Sequence, residues 1–325
     1  MSKNPVVVNS KWPTGPNNTH SEAKSIDPAA LKDFLVSLGY VVLNLEQRWR
    51  HVHGLVAQDG HELFFKLAST PEIAIKTKNE VRWNEAVAEP LLQLSTGTLV
   101  VPKIRQTGHF NDCFFYLADY YSGHFAADHD PPRTADLQQY LSLLSNLALI
   151  LNQLSDETLW NPEDERKVSS LTNALFADVD FWSANSGRGD LAEIRELVEP
   201  LRHDYIARVS HGDFVPWHVI IHGEKRVLID GEHGWSGRPR YYDVAYFYHR
   251  LATSGTRPDL ARLFLSEFIR GLPVEEKSEF GRRFLPVLAA RSLAGFYDVT
   301  LFDDQRKVLG MHLELRDMIL RHDLE

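Results

Sequence analysis

The alternation that marks strands stops at Ser122-Gly123, and from there to residue 325 the apolar positions recur mostly at spacings of three and four. That change of period confines the chain to an α+β fold whose sheet lies in its first third, because a parallel α/β fold would interleave strands and helices throughout. Upstream, Val41 to Leu67 reads as strands, and Asp59-Gly60 between LVA and HELFFKLA is a strong hairpin signal. VVPKIRQTG and CFFYLADYY form a second strand pair, broken at His109-Phe110-Asn111-Asp112. A short helix opens at Asp27-Pro28 and stops at Gly39. A longer one runs from Pro71 to Leu94, with Glu80, Trp83, Val87, Leu91 and Leu94 on one stripe. Downstream, Asp136 to Leu154 predicts an amphipathic helix, and further helical patterns run from Glu163 to Val209 and from Asp259 to the end. One island resists that pattern, Ser210 to Asp230, in which HVII and RVLID read as two short strands. Catalytic groups concentrate on such loops held by a rigid scaffold.

Composition narrows the class. With 43% hydrophobic residues the chain can bury a substantial core. A single cysteine, Cys113, makes no internal disulfide and points to a reducing compartment, the cytoplasm. The first twenty residues predict neither signal peptide nor anchor, and apolar stretches such as Leu143 to Leu151 fall short of the roughly 20 residues that span a bilayer. A soluble protein with no membrane partner is expected. The net charge of −9, with both signs mixed along the chain, disfavours nucleic acid and leans toward cationic ligands. No GxxxxGK loop and no GxSxG elbow is present, which argues against a P-loop kinase and an α/β-hydrolase. Oligomeric state has no signature here.

The island holds His211-Gly212-Asp213-Phe214-Val215-Pro216-Trp217-His218, then Val227-Leu228-Ile229-Asp230-Gly231-Glu232, the two aspartates seventeen residues apart. Gly237-Arg-Pro-Arg-Tyr-Tyr-Asp243-Val-Ala-Tyr-Phe continues it. Upstream, Lys66 at a strand end, Glu80 in the next helix, Val101-Pro102-Lys103 and Tyr120-Tyr121-Ser122-Gly123 follow in order. Over residues 40 to 250 this resembles the aminoglycoside phosphotransferase and choline kinase family. The resemblance implies a protein-kinase-like two-lobed fold, with an antiparallel-sheet N-lobe over 27–122, a mainly helical C-lobe over 123–325 and a loose arm over 1–26.

It also implies ATP, magnesium and a small-molecule hydroxyl acceptor. Asp213 would be the catalytic base, Asp230 a metal ligand, and Lys66 with Glu80 the pair that holds the phosphates. Adenine would lie against the hinge near Leu117, Asp119 and Tyr120. His211 would order its loop, and Asp243 would cap the following helix while bonding loop amides.

The residues add their own arguments. Lys66 sits in the apolar run Phe64-Phe65-Lys66-Leu67, where an unpaired ammonium is costly. Its partner is Glu80, on the stripe of Trp83 and Val87, with Glu85 the competitor. His218 stands where the family has asparagine. It can ligate a metal, shifting preference from magnesium toward manganese, can hydrogen-bond Asp213, or can mark reduced catalysis. The first hairpin, Gln47 to Gly54, lacks spaced glycines. With His218 it motivates an alternative, a pseudokinase that binds nucleotide with little catalysis. The acceptor (aminoglycoside, amino alcohol or sugar) is not specified by these residues.

Overall fold

The computed structural model describes residues 24–48, 50–128, 137–155 and 168–324. Trp49 of the first hairpin, most of the expected arm, the start of the helix expected at Asp136 and residues 163–167 lie outside them. Contacts divide the chain into two units. The described residues of Thr19–His124 join Val219–Gly234 in an N-terminal unit, and those of Phe125–His218 join Trp235–Glu325 in a C-terminal unit. The sequence offers no sign that Val219–Gly234 returns to the first unit.

The N-terminal unit is built on a five-stranded antiparallel sheet in the order β1-β2-β3-β6-β5, with β1 at Val41–Arg48, β2 at His51–Gln58, β3 at His61–Ala68, β5 at Ile104–Phe110 and β6 at Cys113–Asp119. Two tight turns set its register. Asp59 and Gly60 both have positive φ, as do Asn111 and Asp112, which is the conformation that joins twisted strands without splaying them. The second turn is therefore two residues long, and His109 and Phe110 belong to β5 rather than to the break expected there. Pro102 similarly splits the expected strand VVPKIRQTG, leaving the short β4 at Leu99–Val100 ahead of β5.

β6 is apolar along nearly its whole length because it is buried on both faces. Cys113, Phe115 and Leu117 join Phe65, Leu67 and Val56 under α1 (Pro28–Ser37), whose Leu31 and Leu35 complete that core. Phe114, Tyr116 and Ala118 face the other way, toward Ile73, Ala74 and Val81 of α2 (Pro71–Leu94). The side chain of Asp27 caps α1 by accepting from Ala29 and Ala30, as its place before Pro28 predicts. Strands β9 (Val219–His222) and β10 (Lys225–Leu228) make the antiparallel hairpin expected from HVII and RVLID, and β10 runs parallel to β4.

After the short strand β7 (His124–Phe125) the C-terminal unit is helical: α3 (Leu141–Asn152), α4 (Val168–Asn185), α5 (Ala192–Glu196), α6 (Tyr242–Ala252), α7 (Pro258–Gly271), α8 (Val274–Leu301), α9 (Asp303–Lys307) and α10 (Leu309–Leu320). Ala207–Ser210, the end of an expected helical stretch, is instead β8, which pairs with β11 (Trp235–Pro239). Strands this short carry no readable period. α8 corrects a second expectation, since its length and a mean hydropathy of 1.2 would let it cross a bilayer. Yet 72% of that window is buried within the fold, the pattern of a core helix.

Candidate active site

The N-terminal unit gathers charge around Lys66. Period-two alternation puts Phe64, Lys66 and Ala68 on the α2 face of β3, so the ammonium points toward α2 and is only 4% exposed. Glu80, 3% exposed, meets it at 2.7 Å, while Glu85 is exposed on the helix. The choice between the two is thus decided by which side of α2 faces the sheet. Asp230 Oδ1 lies 2.9 Å from Lys66 Nζ, and Glu232 Oε2 lies 3.4 Å from it. Tyr116, the cross-strand partner of Lys66, is buried beside them, and burial with the charge of Glu80 holds its phenol well above the usual range.

Three carboxylates thus share one ammonium, leaving an excess of negative charge. Burial alone would lower the Lys66 pKa, but Asp230, Glu80 and Glu232 more than offset it and keep the side chain protonated. Burial, opposed by Lys66 and reinforced by Asp230 and Glu232, pushes Glu80 up to about 7. His51, on β2, is held neutral by burial and the charge of Lys66, with its pKa down to about 2. Its Nε2 is 3.1 Å from Thr77 Oγ1 and 4.0 Å from Glu232.

α2 also grips the loop that carries Asp230. Asn79 donates to the carbonyls of Glu232 (3.0 Å) and Gly234 (2.8 Å), and the Trp83 indole packs against Gly231 and Gly234. A Cβ at Gly231 would come within 2.5 Å of that ring, which is why glycine stands there. Asp230 itself adopts the left-handed conformation (φ 65, ψ 44), costly for a non-glycine residue and maintained here by these contacts.

In the C-terminal unit, Asp213 follows β8 in a loop whose backbone is fixed by Asp243. The two oxygens of Asp243 accept the N–H groups of His211 and Gly212, each at 2.8 Å. Burial pushes the Asp243 carboxyl up to about 6 against the pull of those amides and of Arg238, so it is ionised at neutral pH. Asp243 does not cap α6, because the helix already begins at Tyr242 and Tyr241 is its N-cap. Its loop-bonding role is as expected. Arg238, fully buried, donates to the Gly212 carbonyl at 3.3 Å and stacks 4.1 Å over Tyr242.

His211 accepts from the Asp213 amide through Nδ1 and so orders the loop. His218 Nδ1 is 2.9 Å from the Asp213 carbonyl and 3.8 Å from its carboxylate. A carbonyl can only accept, so Nδ1 carries a proton.

A model of the phosphotransferase enzyme family matches residues 51–280, more than half of the chain. The chain belongs to that family. Solved members share its fold at low identity. Aminoglycoside phosphotransferase APH(4)-Ia superposes with a TM-score of 0.64 at 14% identity, covering 91% of this chain and 99% of its own. Macrolide 2'-phosphotransferase MphH from Brachybacterium faecium gives 0.57 at 16%, covering 87% and 97%. A variant of APH(4)-Ia was solved with ADP and hygromycin B. No curated protein matches this sequence significantly.

Within this phosphotransferase fold the three residues expected to meet adenine differ in setting. Leu117 is a core side chain of β6, Asp119 pairs with Arg105, and Tyr120 is exposed. Sequence reasoning missed Glu232, Asn79 and Arg238. Glu232 was visible two residues beyond Asp230 in the same motif. The other two have no local signal.

Proposed function

We propose that this phosphotransferase moves the γ-phosphate of ATP to a hydroxyl of a small molecule, in the manner of a small-molecule kinase. The observation that carries this reading is the buried Lys66 with three carboxylates around it. One ammonium cannot balance that charge, whereas one ammonium with a hard divalent cation and phosphate oxygens can. The carboxylate oxygens of Glu80, Asp230 and Glu232 lie within 4.8 Å of one another, which fits magnesium. Asp230 and Glu232 would hold it, with Glu80 kept on Lys66. The cation would neutralise charge on the phosphates. Lys66 would bind and orient them, and Leu117 to Tyr120 would offer backbone to the adenine.

Asp213 would accept the proton of the attacking hydroxyl, from a loop that Asp243 and Arg238 hold in place. His218, through Nε2 in its neutral form, would suit manganese as a second cation. The similar solved structures are an aminoglycoside and a macrolide phosphotransferase, which supports a small hydroxylated acceptor without choosing one. The test is an acceptor panel of antibiotics, amino alcohols and sugars, scored for acceptor-dependent ADP release in magnesium and in manganese. Release that also requires Asp213 supports the reading. ATP binding with no release across the panel would instead make the chain a pseudokinase.

A further inference from the structure

α2 reaches two elements through neighbouring side chains. Glu80 pairs with Lys66 of β3 at 2.7 Å, while Asn79, half-buried beside it, meets the loop that follows β10. That loop sets Asp230 in its left-handed conformation and then closes a short turn, in which the Gly234 amide donates to the Gly231 carbonyl at 2.8 Å. Onto this turn Asn79 Nδ2 donates twice, to the carbonyl of Glu232 at 3.0 Å and to that of Gly234 at 2.8 Å. Carbonyls only accept, so the nitrogen and not the oxygen of the amide faces the loop, and its two hydrogens match the two acceptors.

A second hold on the loop is electrostatic. Lys66 Nζ lies 2.9 Å from Asp230 and 3.4 Å from Glu232, but an ammonium is a point charge on a flexible stem and follows its carboxylates where they go. A divalent cation between those carboxylates would also repel it. The Asn79 bonds join neutral groups, so they persist when a cation enters. We propose that Asn79 is a positioning residue for the metal: its amide keeps the backbone of the loop on α2, so that Asp230 and Glu232 stay together as the cation draws them from Lys66. This rests on the function proposed above. Groups that hold metal ligands in place count in the affinity of a site as well as the ligands themselves.

The test uses the full chain with ADP and titrates manganese, following the free ion by electron paramagnetic resonance. Asn79→Leu, which keeps the side-chain volume without the donors, and Asn79→Ala should each weaken manganese binding by roughly 10- to 100-fold, the usual cost of removing a group that orients a metal ligand. Asn84→Ala is the control on the same helix. Its amide donates to the Pro102 carbonyl at 3.2 Å instead of to the loop, so its loss should lower the melting temperature and leave manganese affinity unchanged. Wild-type affinity in either Asn79 variant, or an equal loss in Asn84→Ala, overturns the positioning role and leaves the phosphotransfer reading intact. If the wild-type protein with ADP takes up no manganese, the cation reading of the carboxylate cluster fails, and this proposal fails with it.

Discussion

Two carboxylates matter most here, and the protein treats them in opposite ways. Asp230 is placed by side chains, the ammonium of Lys66 and the α2 residues Asn79 and Trp83 that hold its loop in a left-handed turn. Asp213 is placed through its backbone, with Asp243 of α6 accepting the amides of His211 and Gly212 and the His211 ring accepting that of Asp213. The first cluster carries an excess of formal charge and suits a cation. The second spends the carboxylate of Asp243 on backbone amides, which fixes the loop that carries Asp213. One cluster is thus organised by charge and the other by backbone hydrogen bonds.

The comparison can be broken most decisively at Asp213. Replacing it with Asn should keep the fold and lower turnover by roughly 10²–10⁴-fold, read by steady-state ADP release. Near-normal turnover would remove the basic site altogether.

Next in size is Lys66→Met. Removing one partner of a buried pair should cost about 3–5 kcal/mol in urea melts. The loss should be larger at pH 8 than at pH 6, because Glu80, already raised to about 7, can take up a proton at the lower pH. Lys66→Met with Glu80→Leu should recover part of it. Strict additivity of the two would mean that the pair is not an energetic unit.

The acid response comes third. His312 is buried and neutral, with its pKa lowered to about 3 by burial and by Arg291 and Arg250, whereas the unfolded chain takes its proton near 6.5. The unfolded state binds more protons below that value, so this group's contribution to stability is lost as pH falls from about 6.5 toward 3. Glu80, Asp178 and Asp243 work the other way, since their raised values favour the folded state in weak acid. The single-site effect is isolated by difference. Relative to the wild type, His312→Gln should gain about 1.4 kcal/mol for each pH unit below 6.5. Parallel stability curves would refute the neutral buried histidine.

His218→Asn carries the smallest expected effect. It should move metal preference from manganese toward magnesium while leaving stability nearly unchanged. An unchanged preference would confine His218 to its hydrogen bond with the Asp213 carbonyl.

The two regions also differ in how far their sequences disclose them. Lys66 was readable because a charge inside Phe64-Phe65-Lys66-Leu67 demands compensation, and the stripe on α2 pointed to Glu80. The sheet was readable from alternation and from the Asp59-Gly60 turn. What escaped was non-local or too short. β8 and β11 have four and five residues and exist through each other, and the return of Val219–Gly234 to the N-terminal unit is a property of topology. Arg238 carries no local sign of the burial under Tyr242 that sets it against Gly212. Asn79 acts on carbonyls more than 150 positions away, at a distance no local pattern can encode.

The packing of Trp83 on Gly231 and Gly234 has a consequence for how this protein can evolve. At either glycine a first side-chain atom would collide with the indole, so the indole keeps its place only against both bare backbones. Mutations at these three positions therefore cannot arrive in any order. A lineage that replaces a glycine first meets a clash at the loop bearing Asp230, while one that shrinks the tryptophan first opens room for a glycine replacement later. Descendants carrying a small residue at position 83 are those in which alanine or serine should be found at 231 or 234, and the ancestral trio should otherwise be inherited whole.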